Sequence, residues 1–159
     1  MINAVSSESN KIEMVILPIK VHNLLNKELM RVTGESATSD LNYEQGRKIG
    51  VSLVRGKFKT SPDDIKRYLN KLILIGYYCG VSSKNSYIKS FSNDKIILSG
   101  KSRFNQKNKE SYSNPTLSYV AGYISGFMEG LTSKQWKGRY VNKVKENNIL
   151  VEIIIEKIK

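Results

Sequence analysis

A chain of 159 residues with 40% hydrophobic and 25% charged side chains can build one domain with a real core, is too short for two comfortable ones, and does not have a disordered composition. Its single cysteine, Cys79, excludes an intramolecular disulfide framework. With one histidine, His22, the chain is also short of ligands for a zinc site, so no metal or cofactor is expected. The net charge of +12 implies attraction to nucleic acid, an acidic membrane surface or an acidic protein, or only the solubility conferred by lysines spread over nearly every segment.

Residues 1–14 read as a flexible arm and 15–159 as a single domain. The first ten residues lack the charged start and apolar run of a signal peptide. The longest apolar stretch, Leu72 to Val81, is broken by Gly76 and too short to span a bilayer. A soluble cytoplasmic protein is expected. A first helix is predicted from about Pro18 to Thr33, with Ile19, Leu24, Leu25 and Leu29 as its apolar stripe and Gly34 as its stop. Thr38, Ser39 and Asp40 offer caps for a second helix running to about Gly56, which carries the small–xxx–small pair Gly46 and Gly50. Ser61-Pro62-Asp63-Asp64 is a strong start signal for a third helix ending near Gly80, whose apolar second half, Leu72 to Tyr78, is expected deep in the core.

Short strands are predicted around Tyr87–Phe91 and Lys95–Leu98, with Ser92-Asn93-Asp94 as the turn. The basic stretch from Gly100 to Pro115 reads as an exposed loop, with Lys101, Arg103, Lys107 and Lys109 as candidate binders of an anionic surface. A last helix follows, with Gly122, Gly126 and Gly130 along one edge. Three helical glycines cost on the order of 3 kcal/mol relative to alanine, so another backbone should pack very close to that edge. Leu117, Val120, Ala121, Ile124, Phe127, Met128 and Leu131 form its core stripe, so the helix should be buried on two sides. Strands are predicted over Lys137–Lys145 and Ile149–Lys157, with Ile149, Val151, Ile153 and Ile155 on one face. Early helices with hairpins between and after them, and no βαβ alternation, give an α+β fold with helices on one side of an antiparallel sheet.

No catalytic constellation stands out, and an enzyme is not expected. Gly46-Arg-Lys-Ile-Gly50 lacks the Lys-Ser/Thr of a phosphate loop, and Gly122-Tyr-Ile-Ser-Gly126 lacks the spacing of a nucleophile elbow. His22 has no second histidine to pair with. Asp63 with Asp64 reads as a helix start, and Glu152 with Glu156 as an exposed strand face. Cys79 is either a buried, inert thiol or a reactive or acylated one.

Three segments carry a resemblance. Tyr119 to Leu131 followed by two strands, Tyr43 to Leu53, and Ile65 to Val81 together resemble the 4-vinyl-reductase-type domains and the related small subunits of the transport protein particle (TRAPP), from about residue 15 onward. Where the first group carries cysteines, this chain has Leu117, Lys143 and Val151, so it sits closer to the TRAPP subunits. Some of those subunits bury an acyl chain on a cysteine ahead of the third helix. Here Thr60 and Ser61 occupy that place, which does not support acylation there.

The resemblance implies a homo- or heterodimer formed through the first two helices, with Leu25, Leu29, Gly46, Gly50 and Leu53 at the interface. It also implies an apolar channel between helices and sheet, for which Leu69, Ile73, Tyr123 and Phe127 are lining candidates unless they simply fill the core. The leading expectation is a non-enzymatic assembly subunit presenting a basic surface to membrane or to a small GTPase. The alternative is a regulatory domain holding a fatty acid or other hydrophobic molecule. Nucleic-acid binding ranks third: the Lys101–Lys109 loop has charge but one aromatic and no docking motif.

Overall fold

The computed structural model describes residues 19–54, 61–78, 85–101, 114–145 and 148–158. The elements in chain order are α1 (Ile19–Thr33), α2 (Glu35–Val54), α3 (Pro62–Tyr78), β1 (Tyr87–Phe91), β2 (Lys95–Lys101), α4 (Asn114–Thr132), β3 (Trp136–Lys145) and β4 (Asn148–Lys157). The four strands form one antiparallel sheet in the order β1-β2-β4-β3, with the helices packed against it. The architecture is α+β, as the sequence leads one to expect.

α1 ends at Gly34, whose φ of 85° suits a residue without a side chain and whose amide donates to the Met30 carbonyl at 2.9 Å. α2 starts at the next residue, ahead of the expected caps. Thr38 is not a cap: it is fully buried, and its hydroxyl donates back to the Gly34 carbonyl at 2.8 Å. The start of α3 does use its cap. Asp64 N donates to Ser61 Oγ at 3.2 Å, while Ser61 Oγ donates to the Asp64 carboxylate at 2.8 Å. Where the apolar stretch of α3 begins, burial is less complete than expected: Leu72 and Ile73 are half-buried and Leu74 is 53% exposed, while the side chains of residues 75–78 lie outside the described ones.

α4 is the centre of the molecule. Leu117, Ala121, Ile124, Phe127, Met128 and Leu131 are all buried against the sheet side. The other edge meets α2 backbone to backbone. A Cβ placed on Gly126 would lie 2.7 Å from the carbonyl carbon of Arg47 and 2.8 Å from its Cα. One on Gly122 would lie 2.8 Å from the Tyr43 carbonyl carbon. From the opposite helix, a Cβ on Gly50 would sit 2.6 Å from Phe127 N, and one on Gly46 2.9 Å from Tyr123 N. Gly130 differs, because its nearest neighbour is the Val54 side chain. The close-contact face of α2 is therefore intramolecular, and Gly46 and Gly50, expected at a subunit interface, are turned inward onto α4. Arg47 clasps the same seam, donating to Glu129 at 2.8 Å and Glu44 at 3.0 Å. The bonds to Glu44 and Glu129 hold its guanidinium more firmly protonated than usual.

β3 approaches α4 in the same way. At Gly138 a Cβ would meet Ser125 Oγ at 2.5 Å and Ile155 Cδ1 at 2.8 Å, and the Gly138 amide donates to the Tyr43 hydroxyl at 3.0 Å. β1 carries a bulge between Ile88 and Ser90. Strict alternation after Ile88 would send Phe91 outward. The extra residue, Lys89, restores Phe91 opposite Ile96 and onto the core.

Candidate functional site

No described cluster of three or more His, Cys, Asp or Glu residues has the arrangement of a metal site, and no described helix is long and apolar enough to cross a membrane. The unusual features are instead two surfaces: α1, and the face of the sheet turned away from the helices.

α1 packs with its polar side inward. Asn26 is 4% exposed and Asn42 on α2 is 5% exposed, and the Asn42 amide donates to Asn26 Oδ1 at 2.8 Å. Asn26 Nδ2 donates to Thr116 Oγ1 at 3.1 Å, and that hydroxyl, 2% exposed near the start of α4, donates to Asn23 Oδ1 at 3.2 Å. The network joins α1 to α2 and α4, and its buried polar atoms find partners, as burial demands. The apolar side of α1 faces out: Leu24 is 63%, Leu25 58% and Val32 73% exposed. Leu41 and Ile49 of α2 are exposed as well. The stripe through Leu24 and Leu25 thus does not face the core.

The outer sheet face is built on the register. Antiparallel partners share a face, so Glu152 lies between Ser99 and Val141, and Glu156 between Lys95 and Lys137. Glu152 is not the exposed strand residue expected from sequence; its side chain is 5% exposed. Lys143 Nζ lies 2.7 Å from its carboxylate, and Lys89 Nζ, reaching across β2 where the neighbour is the small Ser99, lies 2.5 Å away. Glu156 is shared by Lys95 at 2.6 Å and the more distant Arg139 at 3.9 Å.

The bonds from Lys143 and Lys89 hold the Glu152 carboxyl below its usual range. The folded-state pKa thus lies below the unfolded value of about 4.3, so the clamp stabilises fully above that value and is lost as pH falls through the folded pKa. Glu152→Gln should remove that component. Melting temperatures followed downward through pH 4 should fall more steeply for the wild type than for the variant, whereas parallel profiles would dismiss the clamp.

Of the other residues expected at a site, Leu29 is half-buried on α1, and Leu53 packs on the core rather than facing outward. Leu69 is fully buried and Phe127 is 5% exposed, while Ile73 and Tyr123 are half-buried at the edge of the same core. Lys101 is exposed at the end of β2. Arg103, Lys107, Lys109 and Cys79 lie outside the described residues, as do the side chain of His22 and the segment 1–14. Sequence reading missed the asparagine network; its trace was two asparagines, Asn23 and Asn26, three apart and so on one side of an amphipathic helix. Tyr140, whose phenol is pushed up by burial and by nearby Glu35, hydrogen-bonds Ser118 close to that network.

The layered arrangement defines the class as an α+β domain whose last helix lies between a helical partner and the sheet. No family model and no curated protein sequence matches the chain. Solved structures do. A trafficking protein particle complex subunit 3 from Naegleria fowleri, covalently bound to palmitic acid, superposes with a TM-score of 0.55 at 13% identity, over 89% of this chain and 93% of that one. The phenol-responsive sensory domain of the transcription activator PoxR, solved with phenol, gives a TM-score of 0.58 at 13% identity, covering 91% of this chain and 76% of that one. An H-NOX protein of T. tengcongensis gives 0.51 at 13% identity, over 92% and 76%. The chain shares the fold of the TRAPP subunit, and the same fold serves sensory domains.

Proposed function

We propose that the protein is a non-enzymatic assembly subunit of the TRAPP kind, cytoplasmic, pairing with a like subunit through α1 and presenting its basic charge to an anionic membrane or a small GTPase. The observation that carries this reading is the orientation of α1. Burying a leucine stabilises by roughly 1.5–3 kcal/mol, yet the helix turns asparagines inward and leaves Leu24, Leu25 and Val32 in water. A contiguous second chain over that stripe restores the burial. The likeness to a TRAPP subunit supports the same reading.

Sedimentation equilibrium tests it. The wild type is expected to be dimeric at about 10 μM, a concentration at which an interface worth roughly 8 kcal/mol or more is largely occupied. Leu25→Glu should shift it to monomer while the far-ultraviolet circular dichroism stays that of the folded protein, with the melting temperature lowered and no longer dependent on protein concentration. A wild-type monomer that recovers no related subunit from its host would overturn the proposal.

A second reading, a regulatory domain for a hydrophobic ligand, is supported by the half-buried Tyr68, Leu72, Ile73 and Tyr123 beside the core, and by neighbours solved with palmitic acid and with phenol. Native mass spectrometry of gently purified protein decides it: a co-purifying fatty acid supports the ligand role, and bare protein that gains none from added palmitate removes it.

A further inference from the structure

β3 lies at one edge of the sheet, ten residues long and paired to β4 alone. In an antiparallel ladder the main-chain groups of successive residues turn alternately to the two sides. Two bonds fix the phase. The Gly138 amide donates to the Tyr43 hydroxyl at 3.0 Å, so it points away from β4. The Lys157 amide, on the residue opposite Trp136, donates to the Asp94 carbonyl at 2.8 Å, away from β3. Even-numbered residues of β3 therefore turn N–H and C=O to the rim, and odd-numbered ones turn theirs to β4. Tyr43 closes the row at Gly138. Beyond it, the rim groups of Tyr140 and Asn142 have no partner among the described residues, and Asn142 is exposed.

The side chains beside this open stretch set its chemistry. Arg139, Val141 and Lys143 share the outer face, and the two cations are 56% and 52% exposed. Arg139 shares Glu156 with Lys95 at a loose 3.9 Å, and Lys143 shares Glu152 with Lys89. Two carboxylates thus answer four cations, and both lie on the β4 side. A second copy of the chain is a poor occupant. Joining two β3 rims sets odd residues opposite odd residues, so Lys137, Arg139 and Lys143 of one copy fall among the same cations of the other. An extended acidic segment meets no such objection. Its side chains opposite Arg139, Val141 and Lys143 would occupy non-hydrogen-bonded sites, where facing Cα atoms come within about 4.5 Å.

We propose that the β3 rim from Arg139 to Lys143 accepts an extended acidic segment of a protein partner as an added antiparallel strand. Its main chain bonds to Tyr140 and Asn142, its carboxylates face Arg139 and Lys143, and an apolar side chain faces Val141. The inference does not rest on subunit pairing through α1.

The test uses the full chain and a short fluorescent peptide in which glutamate, valine and glutamate alternate with threonines. The peptide should bind, and weaken as salt rises. Methylating its threonine amide nitrogens, which face the rim, should abolish binding; methylating the glutamate and valine nitrogens, which face away, should spare it. Arg139→Glu with Lys143→Glu should weaken binding by about tenfold or more, as expected for reversing charges across an interface. Asn142→Pro should weaken it as well, because proline removes a rim donor and is tolerated on a sheet edge. The control pair Lys66→Glu with Lys71→Glu, on α3, should leave it unchanged. On wild-type protein the amides of Tyr140 and Asn142 should gain protection from exchange, while those of Arg139 and Val141, already turned to β4, should not. That map keeps the test valid if a variant misfolds.

Absence of binding, equal binding of the rim-methylated peptide or of a lysine-for-glutamate counterpart, or protection gained only on other elements overturns the proposal. Rim binding by a protein that sediments as a monomer upholds it and counts against subunit pairing alone.

Discussion

Gly126→Ala is expected to destabilise the protein by about 3 kcal/mol, although alanine is the better helix former by about 1 kcal/mol. The sign follows from what the added methyl meets. Its neighbours are the carbonyl oxygen, carbonyl carbon and Cα of Arg47, main-chain atoms of a second helix that yield only if α2 and α4 separate. Separation would also loosen the Arg47–Glu129 pair and the facing contacts of Gly46 and Gly50. Gly130→Ala is the internal comparison. Its new methyl meets the buried Val54 side chain, which is stiff about χ1, and the Val51 carbonyl oxygen only at 3.0 Å, so a cost is expected here too, but a smaller one of about 1–2 kcal/mol. Urea denaturation of both variants measures the difference, and a neutral or stabilised Gly126→Ala would refute the backbone contact.

The second large effect is expected at Asn26. Truncation to alanine takes the acceptor from the Asn42 amide and the donor from Thr116, leaving both in a buried setting; about 3 kcal/mol should be lost. The loss should also be local. α1 is fastened by this network while Leu24 and Leu25 face outward, so hydrogen exchange should show α1 amides losing protection before those of α2 and α4. Uniform loss across all the helices would show that α1 is not a separately fastened element. The same variant bears on assembly: a detached α1 should weaken subunit pairing even though Asn26 itself faces away from the proposed interface.

How much of this was legible in the sequence depends on what fixes each feature. The α4 edge could be read because glycine is costly in a helix, and three of them at i, i+4 and i+8 demand a close neighbour. Which chain supplied that neighbour could not be read, since a backbone from within and one from a second subunit leave the same pattern. The orientation of α1 was hidden for a related reason: an amphipathic stripe has two sides, and periodicity does not say which one meets the core. Its asparagines acquire their meaning only when Asn42 and Thr116, distant in sequence, arrive beside them. The start of α2 was misread because Thr38-Ser39-Asp40 has capping chemistry, while Gly34 turns the chain sharply enough for a helix to begin at once. The burial of Glu152 was out of reach without the register and the β1 bulge, which together bring a lysine from two strands away.

That bulge has a consequence for how the molecule behaves in a crowded cell. A free strand at the rim of a sheet invites another chain to continue the ladder, and runaway addition of that kind ends in filaments. β1 is such a rim, only five residues long, and its hydrogen-bonding rhythm is interrupted at Lys89, where a charged residue stands out of step. An incoming strand would find no regular template there. Among the described residues the edge nearest the α3 layer is thereby a poor template, and the longer β3 rim, among its lysines and arginine, is the more regular one.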